Sequence, residues 1–317
     1  MPNWGEVLAE LRVLPPIDNQ GQSKFDIVRR KYLKQIFDCN GGRNVIAYYS
    51  GWLQRPGSRD AAVNDKDISG FMLCINKLDK TKGLDLILHT PGGDLAATES
   101  LVTYLKKIFD NDIRAIVPQL SMSAGTMIAL SCKEVMMGKH SSLGPIDPQM
   151  ENIPCEAVIA EFERARNEIL DNPSAAHLWE FILSKYYPTF LSSCQNAIDM
   201  ANEMVRSWLK ENMCAGDGKL ANKICSHFSS HKKSKIHGRH LSVDTCKKVG
   251  VKIIDIESDK KLQDAILTTH HAFMHTFSNS GAVKIIENHN GIAFIEALPQ
   301  QQQVQLPFQI PPQQQQK

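Results

Sequence analysis

Short apolar runs alternate with amphipathic stretches through the first half of the chain. The apolar runs predict buried strands, which we place at residues 45–50, 84–90, 113–119 and 134–138. Between the second and third runs, apolar residues recur at the spacing of one helical face, at Leu101, Val102, Leu105, Ile108 and Phe109. Strands that alternate with helices are typical of βαβ units, so we expect an α/β fold built on a parallel sheet.

The second half of the chain is mainly helical by the same criterion. Its patterns predict three helices and one further strand, namely helices over 156–170, 190–212 and 262–275 and a strand over 251–256. The intervening stretch SSHKKSKIHGRH, at 229–240, is basic and is interpreted as a loop. Its Lys-rich run, at 232–235, is expected to face solvent.

The two ends of the chain differ in composition from the middle. Residues 1–25 are interpreted as a leader helix and a proline-containing linker, and residues 26–297 as one domain. Residues 298–317 are rich in Gln and Pro. We expect this tail to be disordered, because it offers little apolar surface to bury.

Composition narrows the function classes. The 317 residues carry a formal net charge of +2, which is too balanced to favour nucleic acid or an anionic membrane surface as partner. No stretch approaches the roughly 20 apolar residues of a membrane span, and the first residues do not resemble a signal peptide. The 8 cysteines include no C-x-x-C pair, which is typical of reduced thiols. Together these features predict a cytoplasmic protein.

The first candidate for chemistry is the sequence HTPGGD, where a buried strand ends. Pro91 stops the strand, and Gly92 and Gly93 lead into the next helix. Glycines let backbone N–H groups turn toward a ligand, and ligands of open α/β sheets bind at the carboxyl ends of the strands. The same residues also suit a plain strand-to-helix turn, so this motif alone leaves both interpretations open.

A serine follows the next strand, in the sequence SMSAGT. Ser123 precedes Ala124 and Gly125 at the start of an apolar helix, where its ordinary role is that of an N-cap. Here the small residues leave room for an acyl group, and the first N–H groups of the helix suit an oxyanion. Ser123 is therefore the candidate nucleophile. Ser121 is the rival, but it lies before the helix and no Ala-Gly follows it.

A third predicted strand leads to the sequence SSLGPIDPQ, which carries Asp147 in a proline-rich turn. Asp147 is a candidate for the chemistry of the site, and the alternative is that it only stabilises the turn.

HTPGGD, SMSAGT and SSLGPIDPQ together resemble the serine dehydrogenase proteinase family, relatives of signal peptide peptidase A and, more remotely, of the Clp protease subunit and crotonases. Similar phrases, from YYSGWLQRP to IIENHNG, extend the resemblance over roughly residues 28–295. It implies a Clp/crotonase-type spiral of ββα units with an added C-terminal helical region. It also implies homo-oligomers and metal-independent hydrolysis of peptide or protein substrates.

The resemblance assigns roles residue by residue. It implies a nucleophile, an acid and a base in the chain order Ser123, Asp147 and His237, with Gly92, Gly93 and the N–H of Ala124 around the oxyanion. His237 lies in KIHGRHLS, which matches a histidine element of the family. Signal peptide peptidase A uses a Ser/Lys pair instead, and Lys185 is the nearest equivalent of that lysine here. The base is therefore either His237 or Lys185.

Two other hypotheses belong to different function classes. A crotonase-type acyl-CoA enzyme would share the oxyanion loop without needing Ser123, and a catalytically inactive oligomeric scaffold would keep only the fold. Labelling of Ser123 by a fluorophosphonate probe separates a serine peptidase from both. His270 and His271 have no convincing third ligand, and His289 is interpreted as a loop residue, so we expect neither a metal nor a cofactor.

Overall fold

The computed structural model describes residues 4–298, and within that range the chain forms twelve helices and twelve strands. The helices are α1 Trp4–Val13, α2 Lys24–Cys39, α3 Lys66–Ile75, α4 Leu95–Phe109, α5 Ala124–Ser131, α6 Cys155–Asp171, α7 Ala176–Leu183, α8 Phe190–Glu211, α9 Gly218–Ser229, α10 His231–Ser234, α11 Val243–Val249 and α12 Lys260–Asn279. The strands are β1 Asn44–Ser50, β2 Leu84–His89, β3 Ile113–Val117, β4 Leu120–Ser121, β5 Glu134–Met137, β6 Ser142–Leu143, β7 Gln149–Met150, β8 Ile153–Pro154, β9 Leu241–Ser242, β10 Ile253–Asp255, β11 Ala282–Asn288 and β12 Ala293–Ala297.

A seven-stranded sheet forms the centre of the molecule, in the order β10-β5-β3-β2-β1-β11-β12. The strands from β10 to β1 are mutually parallel, and β11 and β12 join them as antiparallel neighbours. The parallel strands are the five that the apolar runs predict, so the α/β prediction is confirmed. Four of them end one or two residues earlier than predicted, at His89, Val117, Met137 and Asp255. After His89 and Val117 the chain bends into the loops that carry Gly92 and Ser123.

The two antiparallel strands were not among the predicted elements. β11 is buried along its whole length, yet it contains the charged residues Lys284 and Glu287. These charges break the apolar run on which the strand predictions depend. His289 lies in the turn after β11, as predicted, but it is buried there and its ring stacks on Phe37.

Helices cover both faces of the sheet. On one face, α4, α5, α8 and α9 pack against residues such as Leu86 and Leu88, and on the other α2 and α12 pack against Ile87. This separation follows from the strand geometry, because successive side chains point to opposite faces. The predicted long helices are present as α6, α8 and α12, and each differs from its predicted bounds by a few residues.

The segment predicted as a basic loop, 229–240, contains local helical structure. It begins with the last residue of α9 and includes the one-turn helix α10. The lysines of the Lys-rich run are exposed, whereas Ser234 within the run is buried. The prediction of a solvent-facing run is therefore right for its charges and wrong for its serine, whose hydroxyl donates to the His231 carbonyl.

The N-terminal helix α1 packs on the rest of the chain through Val7 and Leu11, which contact Val28 and Ala272. The domain boundary near residue 25 stays a prediction. The predicted tail falls outside the described residues from position 299 onward. Over residues 4–298, no helix has both the length and the apolar character needed to cross a membrane. All eight cysteines are free thiols.

Candidate active site

The ends of β2 and β3 bring the Gly-Gly loop and the Ser-Ala-Gly turn together. The chain leaves β2 at Thr90, which forms a β-bridge with Ser121. The N–H of Met122 donates to the Thr90 carbonyl at 3.0 Å. The two motifs that the sequence places about thirty residues apart are thus side by side at the carboxyl edge of the sheet, where α/β folds bind ligands.

Ser123 has a strained backbone conformation. Its φ of 50° and ψ of −118° lie in a region that residues with a Cβ rarely adopt. Although it occupies the N-cap position of α5, its hydroxyl makes no capping hydrogen bond. The side chain instead lines a cavity of about 540 Å³. A strained turn that presents a free hydroxyl to a cavity suits a nucleophile better than a helix cap.

Ser121, the rival nucleophile, has the opposite environment. It is fully buried, and a Cβ placed at Gly125 would lie 2.6 Å from its Oγ. Among residues 4–298 its hydroxyl has no hydrogen-bond partner. It is absent from the lining of the cavity that Ser123 faces. Ser121 therefore has no access to a substrate in this conformation.

Both glycines of the Gly-Gly loop are required by close backbone contacts. Gly92 has a φ of 95°, and a Cβ there would lie 2.6 Å from the Ser123 Cβ and 2.7 Å from the Ala124 nitrogen. A Cβ at Gly93 would lie 2.3 Å from the backbone nitrogen of Val63. Real Cβ atoms do not approach other atoms so closely, so neither position accepts a side chain without moving the loop.

The backbone N–H groups around Ser123 differ in whether they have a hydrogen-bond acceptor. The N–H of Gly92 donates to the Thr90 hydroxyl at 3.2 Å. Within the described part of the chain, the N–H groups of Gly93 and Ala124 have no acceptor. Unpaired backbone donors are uncommon in folded proteins, and they mark places where an external acceptor binds.

Asp147 and His237 form a close pair, of which His237 lines the same cavity. His237 Nδ1 lies 2.8 Å from Asp147 Oδ1, and the carboxylate is almost completely buried, with 1% of its side chain exposed. His237 lines the cavity together with Ser123 and Gly93. No direct hydrogen bond joins Ser123 and His237 within residues 4–298. Catalytic hydrogen bonds are often long in unliganded structures and shorten when the substrate binds.

A second histidine is hydrogen-bonded to the other carboxylate oxygen of Asp147. His231 Nδ1 lies 3.1 Å from Asp147 Oδ2, and the His231 backbone N–H donates to the Glu156 carboxylate at 2.7 Å. The sequence analysis did not single out His231, because it assigned the whole segment to a solvated basic loop. The available signal was the pair of histidines six residues apart, His231 and His237.

The turn that carries Asp147 is fixed on both sides. The N–H of Ile146 donates to the Phe228 carbonyl at 2.9 Å, and the Pro148 carbonyl accepts from the Cys155 N–H at 2.9 Å. These contacts tie the turn to the end of α9 and the start of α6. Asp147 is therefore held by backbone hydrogen bonds as well as by the two imidazoles.

Lys185, the alternative base, lies elsewhere. It is exposed in the connection between α7 and α8, and its ammonium group stacks over the Phe181 ring at 4.5 Å from the centroid. It does not line the cavity of Ser123. The geometry of a single chain gives no support to a Ser/Lys pair.

A buried ion pair stabilises the segment that is hydrogen-bonded to the Gly-Gly loop. The Val63 N–H donates to the Gly92 carbonyl at 2.8 Å, and the Asp94 N–H donates back to the Val63 carbonyl at 3.0 Å. The adjacent Ala62 carbonyl accepts from Lys284 Nζ at 2.7 Å. Lys284 is fully buried, and its ammonium group also lies 2.7 Å from an Asp67 carboxylate oxygen.

The same carboxylate binds a tyrosine. Tyr48 Oη donates to the second Asp67 oxygen at 2.7 Å, and burial, followed by the Asp67 charge, raises the pKa of Tyr48 well above its ordinary value. The tyrosine therefore stays a neutral donor. Lys284, Asp67 and Tyr48 together anchor the segment that pairs with the Gly-Gly loop.

Two further histidines near the sheet, His89 and His270, are buried. Burial, with the neighbouring charge of His270, lowers the pKa of His89 well below its ordinary value. Burial, followed by the charges of His271 and His140, lowers the pKa of His270 to about 3. No group of three His, Cys, Asp or Glu side chains within residues 4–298 has the arrangement of a metal site.

The family of ClpP-like SDH-type serine proteinases matches residues 61–266, a span that contains the Gly-Gly loop, Ser123, Asp147 and His237. The chain belongs to this family. A ClpP-like serine proteinase is expected to have the Clp/crotonase-type fold, and the parallel sheet with its flanking helices agrees with that expectation.

Two curated relatives of the chain are uncharacterised proteins of Methanocaldococcus jannaschii. One is 24% identical over 221 residues, which covers 70% of this chain and 69% of the relative. The other is 29% identical over 188 residues, which covers 59% of this chain and 58% of the relative. Their names assign no activity, so the chemistry has to be argued from the site.

Proposed function

We propose that the chain is a serine peptidase that cleaves peptide bonds through an acyl-enzyme on Ser123. The observation that carries this proposal is that His237, which is hydrogen-bonded to the buried Asp147, lines the same cavity as the strained Ser123. An acyl-transfer site needs a nucleophile, a base and an orienting group for the base. These three residues supply them in one place.

The proton transfers follow from the contacts of the imidazole. Because Asp147 accepts a hydrogen bond from His237 Nδ1, the Nε2 atom is left as the basic nitrogen in the neutral ring. Nε2 takes the proton of the Ser123 hydroxyl as Oγ attacks the carbonyl carbon of the substrate. It then gives this proton to the departing amine, and water releases the acyl group by the same steps in reverse.

The negative charge that develops on the carbonyl oxygen needs donors already in place. The free N–H groups of Gly93 and Ala124 are the candidates, since each is unpaired, Gly93 lines the same cavity as Ser123, and Ala124 follows Ser123 in the chain. Gly92 supports the site differently, because its own N–H is occupied by Thr90. Its contribution is the close approach that only glycine permits.

His231 has a positioning role in this scheme. It occupies the second oxygen of Asp147 at 3.1 Å, so the carboxylate cannot rotate away from His237. It does not line the cavity that Ser123 faces, so its role is assigned through Asp147.

Substitution of the three groups tests the proposal. A mixture of peptides of diverse sequence is incubated with the wild type and with Ser123→Ala, Asp147→Asn and His237→Gln, and cleavage is followed by mass spectrometry. Ser123→Ala should lower turnover by about four powers of ten or more. The matched control is Ser121→Ala, which removes the same atom two residues away and should leave turnover within about twofold. Cleavage that survives in Ser123→Ala would disprove the proposal.

We also propose that the chain assembles into a homo-oligomer. Three large apolar side chains on α6 and α7 are strongly exposed, namely Leu170, Leu178 and Phe181 at 70%, 62% and 67%. Beside them, α6 and α8 enclose an apolar cavity of about 630 Å³ that is lined by residues such as Ile159, Phe162 and Leu191. Exposed apolar side chains and an apolar cavity on the same helices are typical of interaction sites, and a second copy of the chain is the partner that the resemblance to Clp-type proteases implies.

A further inference from the structure

Helix α9 and the residues that connect it to α11 carry an unbalanced positive charge. From Gly218 to Val243 the chain contains no Asp or Glu, while it contains six cations and four histidines: Lys219, Lys223, Lys232, Lys233, Lys235, Arg239, His227, His231, His237 and His240. The whole chain has a formal net charge of only +2, so this segment is a local concentration rather than a general property.

Part of this charge surrounds a cavity of about 230 Å³ behind the Asp147 turn. The cavity is lined by the basic side chains His227, Lys233, Arg239 and His240, by the hydroxyl residues Ser234 and Thr245, and by Pro145, Phe228 and Leu241. No carboxylate belongs to the lining. Within residues 4–298, none of the four basic side chains makes an ion pair.

Arg239 is held in position while most of its donors stay free. Its Nη1 donates to the carbonyls of Lys233 and Ser234, at 2.5 and 3.4 Å. Its Nε and Nη2 have no acceptor in the described part of the chain. A guanidinium group that is fixed at one nitrogen and open at the others presents the geometry that binds phosphate oxygens.

The positive charges also act on each other. Burial, followed by the charges of Lys233 and Arg239, lowers the pKa of His227. Like charges around one cavity repel in the absence of an anion, and an anion among them relieves that repulsion. The acidic residues Glu156 and Glu163 do not relieve it, because they line a separate cavity with Lys232.

We propose that this cavity binds a phosphate group, either free or as part of a nucleotide, through Arg239 and Lys233. The ligand would bridge the ends of the segment that carries both histidines of Asp147, since Lys233 lies between His231 and His237, and Arg239 lies just after them. Phosphate binding would therefore make this segment more rigid and hold His237 on Asp147.

Calorimetric titration of the full chain with inorganic phosphate, at ionic strength matched with sodium chloride, tests the binding. Saturable heat is expected in the wild type. Lys233→Gln and Arg239→Gln should each weaken the affinity at least tenfold. Lys235→Gln is the matched control, because Lys235 is exposed in the same segment but does not line the cavity, and its affinity should change less than twofold. Lys233→Gln keeps the carbonyl that Arg239 binds, so it remains informative if Arg239→Gln fails to fold.

Two further measurements complete the test. Hydrogen exchange of residues 231–240 should slow at least tenfold on phosphate addition. Titration with ADP separates the two sources of phosphate: tighter binding than inorganic phosphate indicates a nucleotide, and equal binding indicates the free ion. The absence of saturable heat, or equal losses of phosphate affinity in Lys233→Gln and Lys235→Gln, would overturn the proposal. Either result would show that these charges only form a solvated surface. These measurements use no peptide substrate, so their failure would not bear on hydrolysis at Ser123.

Discussion

His237 Nδ1 lies 2.8 Å from the Oδ1 atom of Asp147, and the two residues come from segments ninety positions apart in the chain. The carboxylate is buried and the imidazole reaches the cavity that Ser123 lines.

The two histidines on Asp147 should differ in their kinetic effects. His237→Gln should lower kcat by about three powers of ten or more, because it removes the base. His231→Gln should lower kcat by about tenfold or less, because it only loosens the carboxylate. The variants are compared by kcat, KM and a pH–rate profile from pH 5 to 9. Equal losses in both variants would show that the assignment of base and positioning residue is wrong.

The buried pair of Lys284 and Asp67 should support the oxyanion loop. Lys284→Met leaves the Asp67 charge without its partner in the interior, and we expect a loss of about 3–5 kcal/mol in the free energy of unfolding. Because Lys284 also holds the Ala62 carbonyl, kcat should fall with little change in KM. Urea unfolding and steady-state kinetics measure the two effects.

The double variant Lys284→Met with Asp67→Asn provides the control for that prediction. Removing the unpaired charge should restore part of the stability, while the Ala62 carbonyl stays without its donor and kcat stays low. Full recovery of kcat together with stability would show that Lys284 has a structural role only.

Stability should fall on acidification because of the buried histidines. Burial lowers the pKa of His270 to about 3 in the folded chain, whereas an unfolded histidine has a pKa of about 6.5. Between these values the unfolded state binds more protons, so the free energy of unfolding decreases as the pH falls, by up to about 1.4 kcal/mol per pH unit from this residue. His89, whose pKa is also lowered, adds to the effect in the same direction.

Urea unfolding of His270→Gln at several pH values between 4 and 7.5 tests whether His270 causes this pH dependence of stability. The slope of stability against pH should be smaller than in the wild type, and His177→Gln, at an exposed position on α7, should leave the slope unchanged. An unchanged slope in His270→Gln would contradict the assignment.

The exposed apolar surface of α6 and α7 should be an interface. Light scattering at micromolar concentration should give a mass that is a multiple of 35.5 kDa. Phe181→Glu should shift the mass toward the monomer, because a charge at the interface costs several kcal/mol when buried without a partner. Met72→Glu is the control, since Met72 is exposed at 55% on α3, outside this surface. A monomer in the wild type would refute the assembly.

Much of the parallel sheet could be predicted from the sequence, and the reason is physical. Strands buried on both faces read as continuous apolar runs, and β1, with Ile46 and Tyr48 on one face and Val45, Ala47 and Tyr49 on the other, is an example. β11 could not be found in this way, because Lys284 and Glu287 inside it are neutralised by partners that are distant in sequence. Long-range pairing of this kind leaves no local pattern.

In the candidate site, too, some residues could be predicted from the sequence and others could not. Gly92, Gly93 and Ser123 could be singled out because local backbone requirements, a tight turn and a helix start, leave a sequence signature. His231 could not be, because its significance lies in its contact with Asp147, eighty-four positions away in the chain. The choice between His237 and Lys185 likewise depended on which side chain the fold brings to the cavity.

The most direct test of the central claim is the site of labelling by a fluorophosphonate probe. The probe is incubated with the wild type, Ser121→Ala and Ser123→Ala, and the modified peptide is located by tandem mass spectrometry. The account predicts one adduct on Ser123 in the wild type and in Ser121→Ala, and none in Ser123→Ala. Absence of any adduct in the wild type, or an adduct that persists in Ser123→Ala, would contradict Ser123 as the nucleophile.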